Sequence, residues 1–384
     1  MMIKRQTEEL ARTLARGFPI LAFTGPRQSG KTTLARTLFA DREYVTLEDL
    51  VEQEFALSDP RGFLARFRDG AVIDEAQRCP ALFSYLQGVV DDRRRMGDFI
   101  LTGSQQFGLR SGISQSLAGR VGLVQLLPFS QAELRAAGRV PQSLDELLWQ
   151  GGYPPLYDRD IPPHLWFPNY VATYVERDVR QLLTVRDLDL FQRFIKLCAA
   201  RTGQLLNLSS LAVDCGISHT TAREWLSVLE ASYLVVRLPP YFRNFGKRLV
   251  KTPKLYFFDV GLAAWLLGIR DAQTLSTHAM RGALFETWVV SELIKERFNA
   301  GQPMDLYFWR DNVGHEVDVV FESEGKLQPI EIKSGATFVA DWLDAVRKWV
   351  SFAKEDALPP RIIYGGDAGY VRQGVQVVGW RDIG

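Results

Sequence analysis

Eight consecutive residues, Gly25, Pro26, Arg27, Gln28, Ser29, Gly30, Lys31 and Thr32, place two glycines, a lysine and a hydroxyl at the spacing G-x-x-x-x-G-K-[ST]. Glycines let a backbone curl around an anion so that amide groups point inward, and a helix starting there adds the positive end of its dipole. Lys31 supplies a charge that reaches outer phosphates, and Thr32 a hydroxyl suited to Mg2+. Thr33 completes the set expected to touch a nucleotide. The pattern is that of a triphosphate-binding loop, and the lack of a downstream [NT]-K-x-D motif favours ATP over GTP.

Two carboxylates follow at the end of the apolar run Ala71, Val72, Ile73. Asp74 is suited to hold Mg2+ together with Thr32, and Glu75 to orient or deprotonate an attacking water. A further run, Phe99 to Thr102, leads through Gly103 to Ser104, a hydroxyl that could sense the terminal phosphate or the water. Arg120 lies between an expected helix from Gln106 to Gly119 and an expected strand from Val121 to Leu127. Its guanidinium could stabilise transition-state charge on a neighbouring subunit's nucleotide, which would require self-association, or it could simply meet the end of the helix dipole. Arg110 is a weaker candidate for the first role.

A second set of charged residues stands near the C-terminus. Asp318 sits in Val317 to Phe321, and Glu331 and Lys333 sit in Gln328 to Lys333, separated by one residue. Side chains alternate along a strand, so Glu331 and Lys333 share a face and can converge with Asp318 on a paired strand. With Glu286 upstream on a helix, this looks like the PD-(D/E)xK nuclease core. The likeness implies that Glu286, Asp318 and Glu331 bind Mg2+ and that Lys333 acts on the attacking water. The same residues could instead form structural charge pairs across a hairpin.

These residues need elements to hold them. Ile20 to Phe23 reads as a buried strand and Thr33 to Phe39 as a helix, the strand-loop-helix order that a phosphate loop requires. Beyond a glycine- and proline-rich break at Gly151 to Pro163, Leu188 to Ala200 and Leu208 to Cys215 carry helical spacing. Gly216 and Ile217 make a turn, Ser218 an N-cap, and Thr220 to Tyr233 a third helix, followed by a strand from Leu234 to Leu238. That succession describes a winged helix-turn-helix, with His219, Thr220, Thr221 and Arg223 at the exposed start of its second helix. From Arg237 to Lys254 six basic residues, including Arg243, Lys247, Arg248 and Lys251, occur with no acidic one. They could neutralise DNA phosphates, or be a solvated face of a segment that contacts protein.

At 384 residues the chain is long enough for two or three cores. The boundaries implied are an ATPase domain at 1–150, a helical and winged helix-turn-helix domain at 151–258 and a nuclease-like α/β domain at 259–384. Net charge of +1 points to no partner by itself, so any nucleic-acid surface must come from local clustering. Three dispersed cysteines exclude a disulfide framework and fit a reducing cytoplasm. No apolar run approaches the roughly 20 residues of a membrane span.

The order of phosphate loop, Asp-Glu strand, Gly-Ser strand, helix, arginine and strand resembles the AAA class of P-loop ATPases. Val72 to Pro80 (VIDEAQRCP), Leu101 to Ser104 (LTGS), Leu117 to Arg120 (LAGR) and Gly151 to Pro154 (GGYP) look like the prokaryotic AAA-class ATPases that carry a C-terminal domain of unknown function. Tyr174 to Val179 (YVERDV) and Lys254 to Leu262 (KLYFFDVGL) extend the likeness over nearly the whole chain. It implies a parallel sheet and nucleotide hydrolysis, and no defined cellular role. Gln105 and Gln106 after Ser104 depart from the pattern and make that corner more polar.

Overall fold

The computed structural model describes residues 3–103, 116–174, 188–242 and 249–384. The expected sites Ser104, Arg110, Arg243, Lys247 and Arg248, most of the expected Gln106 to Gly119 helix and the Val175 to Val179 stretch lie outside these described residues. The chain divides into two compact units, one of Met1–Phe129 with Ala231–Tyr233 and Arg297–Gln302, the other of Ser130–Glu230, Leu234–Glu296 and Pro303–Gly384.

The first unit is built on five parallel strands, β1 (Ile20–Thr24), β2 (Glu43–Thr46), β3 (Ala71–Asp74), β4 (Phe99–Thr102) and β5 (Val121–Gln125), in the order β2-β3-β4-β1-β5. Parallel sheets bury both faces, so their strands read as continuous apolar runs, and β1, β3 and β4 are buried at every position. Alternation then sorts the side chains. Leu21, Phe23, Val72 and Ile100 pack with Ala11 and Ala15 of α1 (Glu8–Gly17) and with Leu34, Ala35 and Leu38 of α2 (Lys31–Leu38). Ile20, Ala22, Ile73 and Leu101 face α3 (Leu50–Ser58), α4 (Pro60–Ala65) and α5 (Ala81–Arg93) through Ala56, Phe63, Phe83 and Leu86. Each fully buried leucine or phenylalanine contributes roughly 1.5–3 kcal/mol, so the sheet is a rigid base for what lies at its strand ends.

Among the described residues the second unit contains two sheets. Helices Leu208–Cys215 and His219–Ala231 are separated by Gly216, whose φ of 80° ends the first of them, and Ser218 Oγ accepts from Thr221 N at 3.0 Å to start the second. They lead into a three-stranded antiparallel sheet of β6 (Gln204–Leu205), β7 (Val235–Leu238) and β8 (Lys254–Phe257), in the order β6-β8-β7. The larger sheet holds β9 (Leu306–Arg310), β10 (Glu316–Ser323), β11 (Lys326–Lys333), β12 (Arg361–Tyr364), β13 (Tyr370–Arg372) and β14 (Val375–Gly379) in the order β13-β14-β12-β11-β10-β9. β9, β10 and β11 pair antiparallel, whereas β11 and β12 are parallel. A parallel pair needs a crossover, which the helix Trp342–Ala353 supplies. Among the described residues no helix is long and apolar enough to cross a membrane.

Candidate functional site

The phosphate loop joins β1 to α2 as the residue pattern requires. Gly25 has φ 138°, and a Cβ there would lie 2.1 Å from the carbonyl oxygen of Leu126, so only glycine fits. Gly30 precedes α2 in the left-handed region at φ 94°. Lys31, the first residue of α2, is buried, and its Nζ donates to the carbonyls of Gly25 at 2.9 Å and Pro26 at 2.7 Å. The ammonium is thus folded back onto the loop whose phosphate it is expected to meet. From the other side Arg5, absent from the sequence-based site, donates through Nη1 to the Ser29 carbonyl at 2.8 Å and through Nη2 to Leu127 at 2.5 Å. It braces the loop from behind.

Asp74 ends β3 and collects the donors around it. Thr32 Oγ1 lies 3.1 Å from both of its carboxylate oxygens, Tyr44 OH donates to Oδ2 at 3.0 Å, and the Glu75 amide donates to Oδ1 at 3.1 Å. Thr102 Oγ1 donates to Oδ1 as well. Tyr44 and Thr102 escaped sequence reasoning, yet both follow from register. β2 and β4 flank β3, with Thr46 opposite Asp74 and Leu101 opposite Ile73, so side chains at the same ends of neighbouring strands converge. Burial and the adjoining Asp74 carboxylate push the Tyr44 hydroxyl up to about 12, so it stays a donor.

Glu75 leaves the strand with φ 53°, a conformation unusual for a glutamate, and its carboxylate accepts from the Gln77 side-chain amide. The set of Lys31, Thr32 and Asp74 around a glycine loop fits a triphosphate with Mg2+: hard oxygen donors for the ion and one buried ammonium for the phosphates.

Arg120 is engaged elsewhere in the same unit. Its Nε and Nη2 meet the two carboxylate oxygens of Asp91, at the end of α5, at 2.7 and 2.8 Å. Hydrogen bonds from Arg120 hold the Asp91 carboxyl below its usual range. The fork is bidentate and solvent-facing, so the guanidinium is neither free nor buried.

In the second unit, His219, Thr220 and Arg223 are exposed on the first turns of their helix, as the sequence implies. The basic stretch fares unevenly. Lys251 is exposed, but Arg237 is paired with Glu230 at 2.9 Å, and Lys254 is buried. Lys254 therefore cannot face DNA phosphates.

Its partners are the acidic residues expected to hold Mg2+. Lys254 Nζ lies 3.0 Å from Glu286 Oε1, 2.5 Å from Glu316 Oε1 and 4.0 Å from Asp318 Oδ1. Asp318 Oδ2 accepts from the Ile332 amide at 2.8 Å, and Lys333 Nζ donates to Glu331 Oε1 at 2.5 Å. Tyr256 OH donates to Glu286. Glu286, Asp318, Glu331 and Lys333 are thus gathered, with Glu316 and Lys254 added from positions that no sequence motif marked. Burial, then repulsion by Asp318, hold Glu286 up to about 7 and Glu331 up to about 8, against the pull of Lys254 and Lys333 respectively. Asp318 is raised chiefly by burial. Burial favours the neutral form of Lys254, but Glu286, Asp318 and Glu316 together outweigh it and keep the ammonium charged. Among the described residues no group of three or more histidine, cysteine, aspartate or glutamate side chains is disposed to hold a metal ion. As arranged, this donor set does not fit Mg2+, because an ammonium stands among the carboxylates.

Residues 17–135 match an AAA domain, residues 141–273 a domain of unknown function (DUF8612) and residues 281–383 another domain of unknown function (DUF4143). The uncharacterized protein Rv2008c of Mycobacterium tuberculosis is 35% identical over 343 residues, covering 88% of this chain and 75% of that one, and the uncharacterized protein Mb2031c of Mycobacterium bovis matches to the same extent. Among solved structures, the Walker-type ATPase PABY2304 of Pyrococcus abyssi aligns with a TM-score of 0.44 at 16% identity, over 69% of this chain and 96% of that one. The RuvB Holliday junction branch migration motor of Thermotoga maritima aligns with a TM-score of 0.31 at 20% identity, over 61% of this chain and 88% of that one. The chain belongs to the family of these uncharacterized mycobacterial proteins, with an N-terminal AAA-type P-loop ATPase domain followed by two domains of unknown function.

Proposed function

We propose that the protein binds ATP with Mg2+ in its first unit and hydrolyses it, and that the nucleotide state governs what the second unit engages. The observation that carries this reading is the pairing of Thr32 with Asp74 at 3.1 Å beside Lys31 and Glu75. Gly25 to Thr33 would cradle the phosphates, with Lys31 exchanging two loop carbonyls for outer phosphate oxygens. Thr32 and Asp74 would hold Mg2+, which offsets charge on the phosphates. Glu75 would orient a water and take its proton as the terminal P–O bond breaks and ADP leaves. Ser104 would report on the terminal phosphate, and Arg120 would act on a neighbouring copy once released from Asp91. The test is Mg2+-dependent phosphate release: Lys31→Ala should lose nucleotide binding, while Glu75→Gln should keep binding and lose turnover. Full turnover by Glu75→Gln overturns the assignment.

For the rest of the chain the proposal has a winged helix-turn-helix at 151–258 and a nuclease-like core at 259–384, in a cytoplasmic protein. Exposure of His219, Thr220 and Arg223 supports a DNA-facing helix, to which Arg243, Lys247 and Arg248 would add charge. A second reading makes the chain an ATP-driven regulatory or defence scaffold whose nuclease-like core engages partners without cutting. The position of Lys254 favours that second reading. Plasmid incubated with protein, Mg2+ and ATP should stay intact, and cleavage that requires Asp318 would restore the nuclease.

A further inference from the structure

The acidic residues of this cluster come from three separate stretches of chain, and the lysine among them from a fourth. Glu286 lies on the helix Arg281–Asn299, Glu316 and Asp318 on β10, Glu331 on β11, and Lys254, the neighbour of the first three, on β8. The side chain of Lys254 is only 4% exposed, and its ammonium lies 5.7 Å from the centre of the Phe308 ring. Lys333 Nζ lies 2.5 Å from Glu331 Oε1, and Arg310 Nη1 reaches Glu316 Oε2 at 3.1 Å, so three basic side chains stand among four acidic ones. One acceptor is left over. Glu331 is 6% exposed, and its Oε2 is buried with no hydrogen-bond partner.

We infer that Lys254 is a built-in cation that takes the place of a divalent ion in this cluster, so that the second unit holds no Mg2+ there and supports no metal-assisted hydrolysis. The inference deepens the non-cleaving reading above, and it stands whether or not ATP is turned over.

The physical case is one of space and charge. Mg2+ requires oxygen ligands at about 2.0–2.1 Å in near-octahedral order and keeps several waters. An ammonium at 2.5 and 3.0 Å from two of the carboxylate oxygens fills that volume. A divalent ion added beside it would meet a buried positive charge in a medium that screens poorly. Buried carboxylates nevertheless demand a cation, and a tethered lysine supplies one permanently. Removing it takes the shared ammonium from Glu286, Glu316 and Asp318, leaving Arg310 on Glu316 and Lys333 on Glu331, whose Oε2 is already orphaned. The carboxylates left are a donor set of hard oxygens, suited to a divalent cation.

Mn2+ binding to the full chain without nucleotide, followed by electron paramagnetic resonance, tests this. Wild type and Asp318→Asn should bind Mn2+ alike, Lys254→Met should gain one bound ion per chain, and the double variant should lose that gain. Should Lys254→Met fail to fold by circular dichroism, Lys254→Gln, which keeps a hydrogen-bonding tip without charge, takes its place. An ion bound by wild type and lost in Asp318→Asn overturns the inference, as does a folded Lys254 variant that gains none. The two readings fail separately. Mn2+ uptake through Asp318 with no DNA cleavage sinks the inference and leaves the non-cleaving scaffold, whereas cleavage that persists in Asp318→Asn does the reverse.

Discussion

Thr32 and Asp74, 42 positions apart, are tied by hydrogen bonds of 3.1 Å from one hydroxyl to both carboxylate oxygens. One residue opens α2 and the other ends β3, so the hydroxyl and carboxylate proposed to hold Mg2+ are brought together by a helix and a strand of the same unit. Tyr44 holds the carboxylate from the opposite side at 3.0 Å. Tyr44→Phe should therefore keep the fold but loosen Asp74, weakening the Mg2+ dependence of ATP turnover by about 10–100-fold, the usual cost of losing a partner that orients a metal ligand. The check is a Mg2+ titration of phosphate release, and an unchanged midpoint sinks the role given to Tyr44.

Glu75 joins that network through its backbone amide, which donates to Asp74 Oδ1 at 3.1 Å, and its backbone turns to φ 53° immediately after the strand. Its carboxylate accepts from Gln77, and the proposed role makes it the group that takes the proton of the attacking water. Glu75→Gln should lower turnover on the order of 10²–10⁴-fold, the range for a lost general base, with ATP affinity retained. Gln77→Ala should give a smaller loss of turnover alone. Calorimetry with ATP beside steady-state rates separates the two effects, and a Glu75→Gln variant that fails to bind ATP argues for a structural role instead.

How much of this the residue pattern revealed depends on sequence distance. The loop, Asp74 and Glu75 were legible because their spacing is local and the strands Ile20–Thr24, Ala71–Asp74 and Phe99–Thr102 are continuous apolar runs. Tyr44 and Thr102 were not, since nothing in a sequence states which strand lies beside which; the order β2-β3-β4 makes them neighbours of Asp74. Lys254 was misread for the same reason. It stands in a stretch without acidic residues, and looked solvated, while its partners arrive from Glu286, Glu316 and Asp318 through tertiary folding. The pairing of Glu331 with Lys333 follows the alternation of a strand and was visible from the start.

The proton held by the acidic cluster gives stability a pH dependence of definite sign. Glu331 is raised from 4.5 to about 8, chiefly by burial, so between those values the folded chain keeps a proton that the unfolded chain gives up. Stability contributed by that group is full below about 4.5 and falls as pH rises to about 8. Glu286, raised to about 7, acts in the same direction. Melting followed by intrinsic fluorescence should show the second unit's transition dropping from acid to neutral pH in wild type. Glu331→Gln, which cannot ionise, should flatten the slope. Parallel curves for the two proteins would remove Glu331 from the explanation.

Arg223 offers the cleanest handle on DNA engagement, because it is exposed on the first turns of its helix, with Nη2 3.4 Å from His219 Nδ1. A guanidinium that contacts phosphate releases bound counterions, so each such contact adds about 0.9 to the slope of log affinity against log salt on duplex DNA. Arg223→Ala should reduce that slope by roughly one contact and weaken binding similarly on unrelated sequences. Identical slopes for wild type and variant would assign the helix to a protein partner.

Arg120 and Asp91 form a two-pronged pair at 2.7 and 2.8 Å, and the proposed role for Arg120 requires that pair to open. Exposed ion pairs are weak, so Asp91→Asn should barely shift the melting temperature. It should instead release the guanidinium and raise ATP turnover at protein concentrations where copies associate, since an arginine acting between subunits needs a neighbour. Arg120→Ala should abolish the concentration dependence and leave ATP affinity in place. Turnover per chain measured across a dilution series, with light scattering on the same samples, decides the matter. If Arg120→Ala matches wild type at every concentration, the residue only closes the end of a helix against Asp91.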